Sequence, residues 1–453
     1  MLTWLLTAAH AFCGFYVGGA GAELYNDATV VVMMRDGSRT VLSMQNDYSG
    51  PPEAFAMVVP VPEVLDKEDV KTLPRQIFAT VDTLAAPRLV EYWEQDPCQR
   101  WEMEERSMAL PSSAPMRRGG REKRAKDLGV TIEAEFAVAE YDIVILSAKD
   151  SLGLDTWLRS EGYNIPDEAE TVLRGYVAQG TKFFVAKVDP KRVTFDGDRA
   201  VLSPLRIAYD EKRFGLPVRL GMLNARGPQD LIVHILAKNQ RYELANKPNV
   251  TVPTNLRVQE EVKEDFGSFY EAVLAHTFRR NPGAVVTEYS WQSGSCDPCP
   301  GPTLQPNDIA TLGGDLIGDT NPMTWTLTRL HARYTIESLG EDLVFRTADG
   351  IIGGRGTPDH EGRFLEEVQP WSMNQFQGRY AVLHPFDGKV ACENPQRGIW
   401  GGPPTAGVAK SRLATGEVKA ARNLASLLLD PIPGITPAKP SGSGGGLIPE
   451  LTE

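Results

Sequence analysis

The sequence predicts an α+β protein in which antiparallel β-strands dominate, arranged as a sheet or sandwich with a helical hairpin and a few covering helices. In residues 181–253, apolar side chains alternate with their neighbours at the two-residue period of a pleated strand. Residues 231–236 are apolar on both faces, which predicts a central strand covered on two sides. Residues 153–179 change to a helical period and predict two amphipathic helices joined as a hairpin.

Before this central region, three segments predict sequential strands. Residues 29–34 and 39–46 flank Asp36-Gly37, a dipeptide favoured in the tight turns of β-hairpins. Residues 55–61 add a third strand, so we expect an antiparallel meander. Residues 73–85 then carry their apolar side chains on one helical face and predict a helix that covers the sheet.

Further elements follow from the same two periods. Alternation predicts strands at residues 130–138, 141–148, 201–209 and 216–222, and later at 285–291, 325–336 and 378–384. A helical face begins at Phe266, after a charged stretch that we interpret as a domain junction.

The length and pattern predict two folded units. A chain of 453 residues is long enough for about two to four domains. We predict a β-rich domain at residues 12–258, a smaller α+β unit at 259–400 and a Pro/Gly-rich tail at 401–453. Because the junction near residue 259 is short, a single merged domain is the alternative.

The net charge of the chain limits the classes of partner that we expect it to bind. The formal net charge is −12, whereas binding to nucleic acid phosphates requires a basic face. Residues 100–128 hold the one cluster of positive charge, and their lack of periodicity predicts a flexible insertion rather than an anion-binding site. No stretch reaches ~18 apolar residues, so no transmembrane span is predicted.

Residues 1–11 resemble a signal peptide. A short apolar core precedes Ala9-His10-Ala11, which has small residues at the two positions that a signal peptidase recognises. We predict cleavage after Ala11 and export to the periplasm, the outer-membrane surface or the medium. A buried N-terminal strand is the alternative.

Five cysteines remain after that cleavage, and in an exported protein they are candidates for disulfides. They are Cys13, Cys98, Cys296, Cys299 and Cys392. An odd number leaves one thiol free or bonded to another molecule, and the sequence does not choose among the possible pairings. Cys13 follows Phe12 rather than a small residue, so we do not expect a lipoprotein anchor.

Several segments together resemble one bacterial family, the domain-of-unknown-function family 2330. They are residues 12–17, 43–46, 51–52, 55–62, 84–89, 157–158, 202–206 and 296–300, and the resemblance extends over roughly residues 12–400. The resemblance implies export, because such proteins are typical of the envelope or exterior of myxobacteria and other bacteria. The family has no assigned activity, so the resemblance implies no catalytic residue.

The Cys296-x-x-Cys299 pair is the sharpest local motif. A redox pair is usually followed by a helix, whereas prolines alternate through this segment and favour an extended or turn conformation. A zinc site needs further ligands, and no second Cys-x-x-Cys is present. We therefore predict a structural role, with the two cysteines bonded to each other or each to a distant cysteine.

No other motif predicts an active site, a metal site or a cofactor. His234, His276, His331, His360 and His384 are scattered and lack metal-ligand spacing. The sequence favours a non-enzymatic structural or interaction module that binds an unknown protein or envelope component. The alternative is a secreted enzyme, either a hydrolase whose residues converge only in three dimensions or a thiol oxidoreductase that uses Cys296 and Cys299.

Overall fold

The computed structural model describes most of the chain between residues 30 and 438. The described ranges are 30–45, 55–98, 130–161, 165, 169–196, 199–224, 228–365, 368–403 and 423–438, together with short strands at 9–10, 15–18, 25–26, 48–49 and 412–413. Cys13, the predicted cleavage site after Ala11 and the predicted insertion at 100–128 lie outside these residues. Within the predicted signal peptide, Ala9 and His10 form a strand that pairs parallel with Gln229 and Asp230, in keeping with the alternative of an N-terminal strand.

The strands follow the chain from end to end. Those up to residue 94 are β1 Ala9–His10, β2 Phe15–Gly18, β3 Tyr25–Asn26, β4 Val30–Asp36, β5 Arg39–Gln45, β6 Tyr48–Ser49, β7 Phe55–Val61, β8 Val70–Thr72 and β9 Arg88–Glu94. The next are β10 Val130–Val138, β11 Tyr141–Ala148, β12 Lys182–Val188, β13 Thr194–Asp196, β14 Arg199–Val201, β15 Leu205–Asp210, β16 Gly215–Leu216, β17 Gln229–Lys238, β18 Arg241–Leu244, β19 Asn249–Thr251 and β20 Leu256–Arg257. The last are β21 Val285–Gln292, β22 Trp325–Tyr334, β23 Leu343–Ala348, β24 Ile351–Gly353, β25 Gln369–Pro370, β26 Gln375–Gln377, β27 Arg379–His384, β28 Trp400–Gly401 and β29 Arg412–Leu413.

The helices are fewer and mostly short. They are α1 Gln76–Ala85, α2 Ser151–Ser160, α3 Ala169–Ala178, α4 Phe266–Arg280, α5 Pro306–Ile309, α6 Asp315–Ile317, α7 Ile336–Leu339 and α8 Leu424–Leu427. The predictions of α1, of the α2–α3 hairpin and of a helix that begins at Phe266 are confirmed.

The main sheet is mixed and contains the predicted central strand. Its order is β25-β24-β26-β21-β22-β17-β4-β5-β15-β8, with β1 beside β17 and β19 beside β21. β17 pairs with β22 antiparallel and with β4 parallel. It is therefore a central strand rather than an edge strand, as the apolar run predicted. The sheet draws strands from both sides of the predicted boundary at residue 258.

A second sheet shares a core with the main sheet. Its order is β10-β11-β12-β7-β2. One core cluster combines Met33 and Val233 of the main sheet with Val59 and Ile145 of the second. The opposite face of the second sheet packs against the α2–α3 hairpin. The β-rich α+β prediction is confirmed at this level, and the sandwich arrangement stays a prediction.

Two local predictions are wrong. β4 and β5 form the expected hairpin, with Gly37 at a φ of 57°, but β7 pairs with β12 and β2 in the second sheet instead of completing a meander. Residues 216–222 form only the two-residue strand β16, followed by a 3-10 helix at Leu220–Asn224. In both segments apolar and polar residues do alternate, but packing against residues distant in the sequence determined which structure forms.

Two helices cover the other face of the main sheet. α1 packs on residues of β4, β17, β21 and β22, including Trp325. α4 packs on a separate cluster with Val286 and Tyr380, which also contains Leu424 and Leu428 from the segment predicted as a tail. Arg257 holds that segment through Asp430, with a 2.6 Å contact between its Nη2 and a carboxylate oxygen.

Candidate functional site

Four of the five candidate cysteines lie in two pairs at disulfide distance. The Cα atoms of Cys98 and Cys392 are 5.5 Å apart, and those of Cys296 and Cys299 are 4.9 Å apart. Between the alternatives that the sequence left open for Cys296 and Cys299, the structure therefore pairs the two residues with each other.

The Cys98–Cys392 pair joins the segment after β9 to a loop after β27. The carboxylate of Glu94, at the end of β9, accepts hydrogen bonds from the backbone N–H groups of Phe386 at 3.0 Å and Gly398 at 2.8 Å. This loop is thus held to β9 both covalently and by a buried carboxylate.

A cluster of titratable groups crosses the helix-covered face of the main sheet. Alternation along β17 and β22 places Asp230, Arg329 and His331 on this face, away from the second sheet. A β-bulge between Thr287 and Tyr289 lets Glu288 join them, which is a common use of bulges. The Glu288 network comprises Asp82, Asp230, Tyr270, Glu271, Glu288, Arg329, His331 and Arg333.

Glu288 is fully buried at the centre of the network. Its Oε2 accepts a hydrogen bond from Arg329 Nε at 2.6 Å. Its Oε1 accepts hydrogen bonds from the Tyr270 hydroxyl of α4 and from His331 Nδ1, the latter at 3.1 Å. Burial opposes ionisation, but the charges of His331 and Arg329 outweigh it and lower the pKa of Glu288 to about 2.

His331 is bound on both ring nitrogens by carboxylates. Its Nδ1 lies 3.1 Å from Glu288 Oε1, and its Nε2 lies 3.1 Å from Asp230 Oδ1. Burial lowers its pKa, but Glu288 and Asp230 outweigh burial and raise the pKa of His331 to about 9. The ring is therefore an imidazolium at neutral pH and donates both hydrogen bonds.

Two arginines complete the network towards its edges. Arg329 also donates to the Asp82 carboxylate of α1. Arg333 donates to both oxygens of Asp230, at 2.7 and 2.8 Å, and to Glu271 of α4 at 2.9 Å. Each cation thus contacts two carboxylates, which compensates its burial.

Sequence reasoning missed the network because its residues lie between positions 82 and 333 of the chain. One signal was present in β22, where Arg329, His331 and Arg333 occupy alternate positions of a strand that is otherwise apolar on that face. Charged side chains at the two-residue period of a central strand indicate buried ion pairs.

A second polar region surrounds the Cys296–Cys299 loop. Cys299 is exposed, whereas Cys296 is partly buried against the apolar cluster under α1. The backbone carbonyl of Pro298 accepts a hydrogen bond from Arg88 Nη1 at 2.8 Å. The carbonyl of Asp297 accepts one from the buried Gln377 amide.

Arg88 is fully buried, and its contacts are with neutral groups. Besides Pro298, it donates to the Leu84 carbonyl at the end of α1 at 2.5 Å and lies over the Tyr289 ring. Among the described residues, no carboxylate forms an ion pair with it. Burial, followed by the charge of Arg379, lowers the pKa of Arg88 to about 10.

Arg379 is a second buried guanidinium in this region. It donates to Asn255 Oδ1 from both Nε at 3.0 Å and Nη2 at 2.6 Å, and to the Tyr92 hydroxyl at 3.0 Å. Burial lowers its pKa, and Asp297 opposes this only through space. We call Arg88, Arg379 and the Cys296–Cys299 loop the Arg88 region.

The other histidines that the sequence raised lie apart from a metal-ligand arrangement. His234 is fully buried, with its Nε2 3.4 Å from Arg329 Nη1, and burial lowers the pKa of His234 to about 3. His276 binds the Pro433 carbonyl, His384 contacts Glu91, and His360 is exposed. Within the described ranges, no group of three or more His, Cys, Asp or Glu residues is arranged to hold a metal ion. None of the helices in the described part of the chain is long and apolar enough to cross a membrane.

A groove of about 460 Å³ lies between α4 and α8, apart from both polar regions. Its lining consists mainly of small and apolar residues, with Arg279 as the charged member. It therefore offers no acid–base pair for catalysis.

Residues 7–346 match the model of a family described as an uncharacterized protein conserved in bacteria (DUF2330). The chain belongs to this family. The match contains the whole Glu288 network, Arg88 and the Cys296–Cys299 loop, whereas Arg379 and Cys392 lie beyond it. Neither the curated proteins nor the solved structures contain a match to the chain.

Proposed function

We propose that this family member is exported and has a non-enzymatic structural or interaction role, with another protein or an envelope component as its partner. One observation carries the proposal: the charged groups of the Glu288 network are paired with one another. Every charged side chain of the Glu288 network has an opposite charge within 3.1 Å. Such pairing stabilises a fold and leaves none of the charged groups of the network unpaired for proton transfer.

The protonation state of His331 argues against a hydrolase. An imidazolium that donates from both nitrogens has no lone pair with which to accept a proton from a nucleophile. The nearby hydroxyls of Ser290 and Thr328 lie at alternate strand positions, on the face opposite to His331. A secreted hydrolase, the alternative, would need a different arrangement of these groups.

The cysteine pairs support export. Disulfides persist in oxidising compartments and are rare in the bacterial cytosol, and the Cys98–Cys392 pair is separated by 294 residues. Together with the predicted signal peptide at residues 1–11, this pairing supports a location in the periplasm, on the outer membrane or outside the cell.

Protein recovered from the native host tests export. We expect an N-terminus at Phe12, after cleavage behind Ala11, and intact Cys98–Cys392 and Cys296–Cys299 peptides in a non-reducing mass map. An intact Met1 in the cytoplasmic fraction would contradict the proposal.

A panel of chromogenic ester, phosphate, glycoside and peptide substrates tests the non-enzymatic role. We expect no turnover by the wild-type protein above that of the His331→Gln variant. Turnover that disappears in His331→Gln at an unchanged melting temperature would establish a catalytic site and overturn the proposal.

A further inference from the structure

The Cys296–Cys299 loop combines three properties that the Cys98–Cys392 pair lacks. One of its sulfurs belongs to an exposed residue, its backbone is fixed by buried side chains, and a buried cation with no carboxylate partner among the described residues is bonded to it. We propose that Cys296–Cys299 is a thiol–disulfide exchange site, whose leaving thiolate is stabilised by the buried guanidinium of Arg88. Its substrate is a dithiol of a protein or peptide. The inference goes beyond the proposed function: demonstrated exchange would overturn its non-enzymatic part, whereas export and the structural role of the Glu288 network do not depend on the outcome.

Exposure decides which sulfur is attacked. Cys299 is exposed, whereas Cys296 packs against the apolar cluster under α1. A substrate thiolate therefore reaches the Sγ of Cys299, and Cys296 is the leaving group.

The exchange balances in two steps. The substrate thiolate forms a bond to Cys299 Sγ, the Cys296–Cys299 bond breaks, and its electron pair leaves on Cys296 Sγ. A second thiolate of the same substrate then attacks the substrate sulfur and releases Cys299 as a thiolate. The substrate dithiol is oxidised to a disulfide, the cysteine pair gains two electrons, and the two substrate protons pass to solvent or to the cysteine thiols.

The loop is fixed independently of its disulfide. Arg88 holds the Pro298 carbonyl at 2.8 Å, and the Gln377 amide holds the Asp297 carbonyl. Both contacts are to backbone atoms between the two cysteines, so they persist after the S–S bond opens. The reduced loop therefore keeps its backbone in place, with the Pro298 carbonyl between the two cysteines still bonded to the guanidinium.

The positive charge of Arg88 can stabilise a negative charge on the Cys296–Cys299 loop. Its hydrogen bonds go to neutral carbonyls, and its main compensation is the negative end of the α1 dipole at Leu84. Packing of Cys296 against the apolar cluster opposes ionisation of its thiol, and the positive charge of Arg88 acts in the other direction. Arg379 adds to the positive potential, whereas the Asp297 carboxylate between the two cysteines reduces it.

The test uses the oxidised full chain and dithiothreitol as the probe. Timed acid quenching, alkylation and peptide mass mapping give the reduction rate of each disulfide separately. We expect Cys296–Cys299 to be reduced at least about tenfold faster than Cys98–Cys392. We also expect the thiol of Cys296 in the reduced chain to have a pKa below about 7.5, measured from its alkylation rate against pH.

Variants of Arg88 test whether its positive charge controls the exchange. Arg88→Met is expected to slow exchange several-fold and to raise the thiolate pKa by about one unit or more, whereas Arg88→Lys keeps both near wild type. Arg35→Met is the matched control, because Arg35 is also a buried arginine, is bound to the carbonyls of Glu211 and Lys212, and lies over Phe214 rather than near the loop.

Two results would overturn the proposal. One is an unchanged thiolate pKa and rate in Arg88→Met. The other, which needs only the wild-type chain and therefore holds even if Arg88→Met does not fold, is a thiolate pKa at or above about 8.5, the value of an unperturbed cysteine.

Discussion

The Glu288 network and the Arg88 region both contain buried arginines and both contact α1, yet they balance positive charge differently. In the network, Arg329 binds the carboxylates of Glu288 and Asp82. In the Arg88 region, the guanidinium binds the carbonyls of Leu84 and Pro298. In the Glu288 network each cation forms ion pairs with carboxylates. In the Arg88 region, the described residues retain a net positive charge.

The pKa values show the consequence. Burial alone lowers the pKa of an arginine, but Asp82 and Glu288 outweigh burial and raise the pKa of Arg329 above its ordinary value. Among the residues that the structure describes, no carboxylate opposes the burial of Arg88, whose pKa is lowered to about 10. A paired buried charge stabilises its neighbours, whereas an unpaired one is available to stabilise a new negative charge.

The largest effect on stability is expected from Glu288→Gln. The substitution keeps the shape of the side chain but removes the charge that Arg329 and His331 share. Loss of one member of a buried ion pair costs about 3–5 kcal/mol of unfolding free energy, because the remaining charges stay buried. Urea denaturation measures it.

The control for that substitution is Glu361→Gln, which removes the carboxylate that pairs with Arg363 at the surface. Exposed pairs are worth about 0–1 kcal/mol, so this variant should differ little from wild type. Equal losses in the two variants would remove the structural role that we assign to the Glu288 network.

Stability is expected to depend on pH through the same network. His331 has a folded pKa of about 9, above its ordinary value of 6.5, so its contribution is complete below pH 6.5 and is lost as the pH rises through 9. Glu288 has a folded pKa of about 2, below 4.5, so its contribution is complete above pH 4.5 and is lost as the pH falls towards 2.

The alkaline loss attributable to His331 is about 3 kcal/mol, from 1.36 kcal/mol per pKa unit. Unfolding free energies at pH 6 and pH 10 measure it, and the difference should shrink in His331→Gln. An undiminished alkaline loss in that variant would assign the effect to other groups.

A smaller loss is expected from Arg88→Met. The substitution removes hydrogen bonds to the Leu84 and Pro298 carbonyls but leaves no carboxylate of the described residues unpaired, so we expect about 1–3 kcal/mol. Arg329→Met, which removes a cation from the buried Glu288 and from Asp82, should cost more than Arg88→Met in the same denaturation assay. The reverse order would contradict the distinction between the two regions.

Within the two regions, the smallest stability effect is expected from replacing Cys296 and Cys299 together by serine. A four-residue ring constrains the unfolded chain weakly, so chain entropy predicts a loss of about 2 kcal/mol or less. A substantially larger loss in thermal denaturation would show that the loop is chiefly a structural staple and would weaken the exchange proposal.

Local periodicity predicted a helix or strand correctly where one face of that element is buried and its pattern of apolar residues is regular. The β4–β5 hairpin, α1, the α2–α3 hairpin and β17 were predicted in this way. β7 was assigned to the wrong sheet because strand pairing is set by neighbours distant in sequence. The Glu288 network escaped prediction for the same reason, because its residues meet only when β17, β21 and β22 pair.

The ionisation state of His331 tests the central claim most directly. A titration of its ring resonances by NMR, assigned with the His331→Gln variant, measures that state in the folded chain. We expect an imidazolium through neutral pH with a pKa of about 9. A neutral ring at pH 7 would contradict it, because His331 could then act as a general base and the network would be a candidate active site.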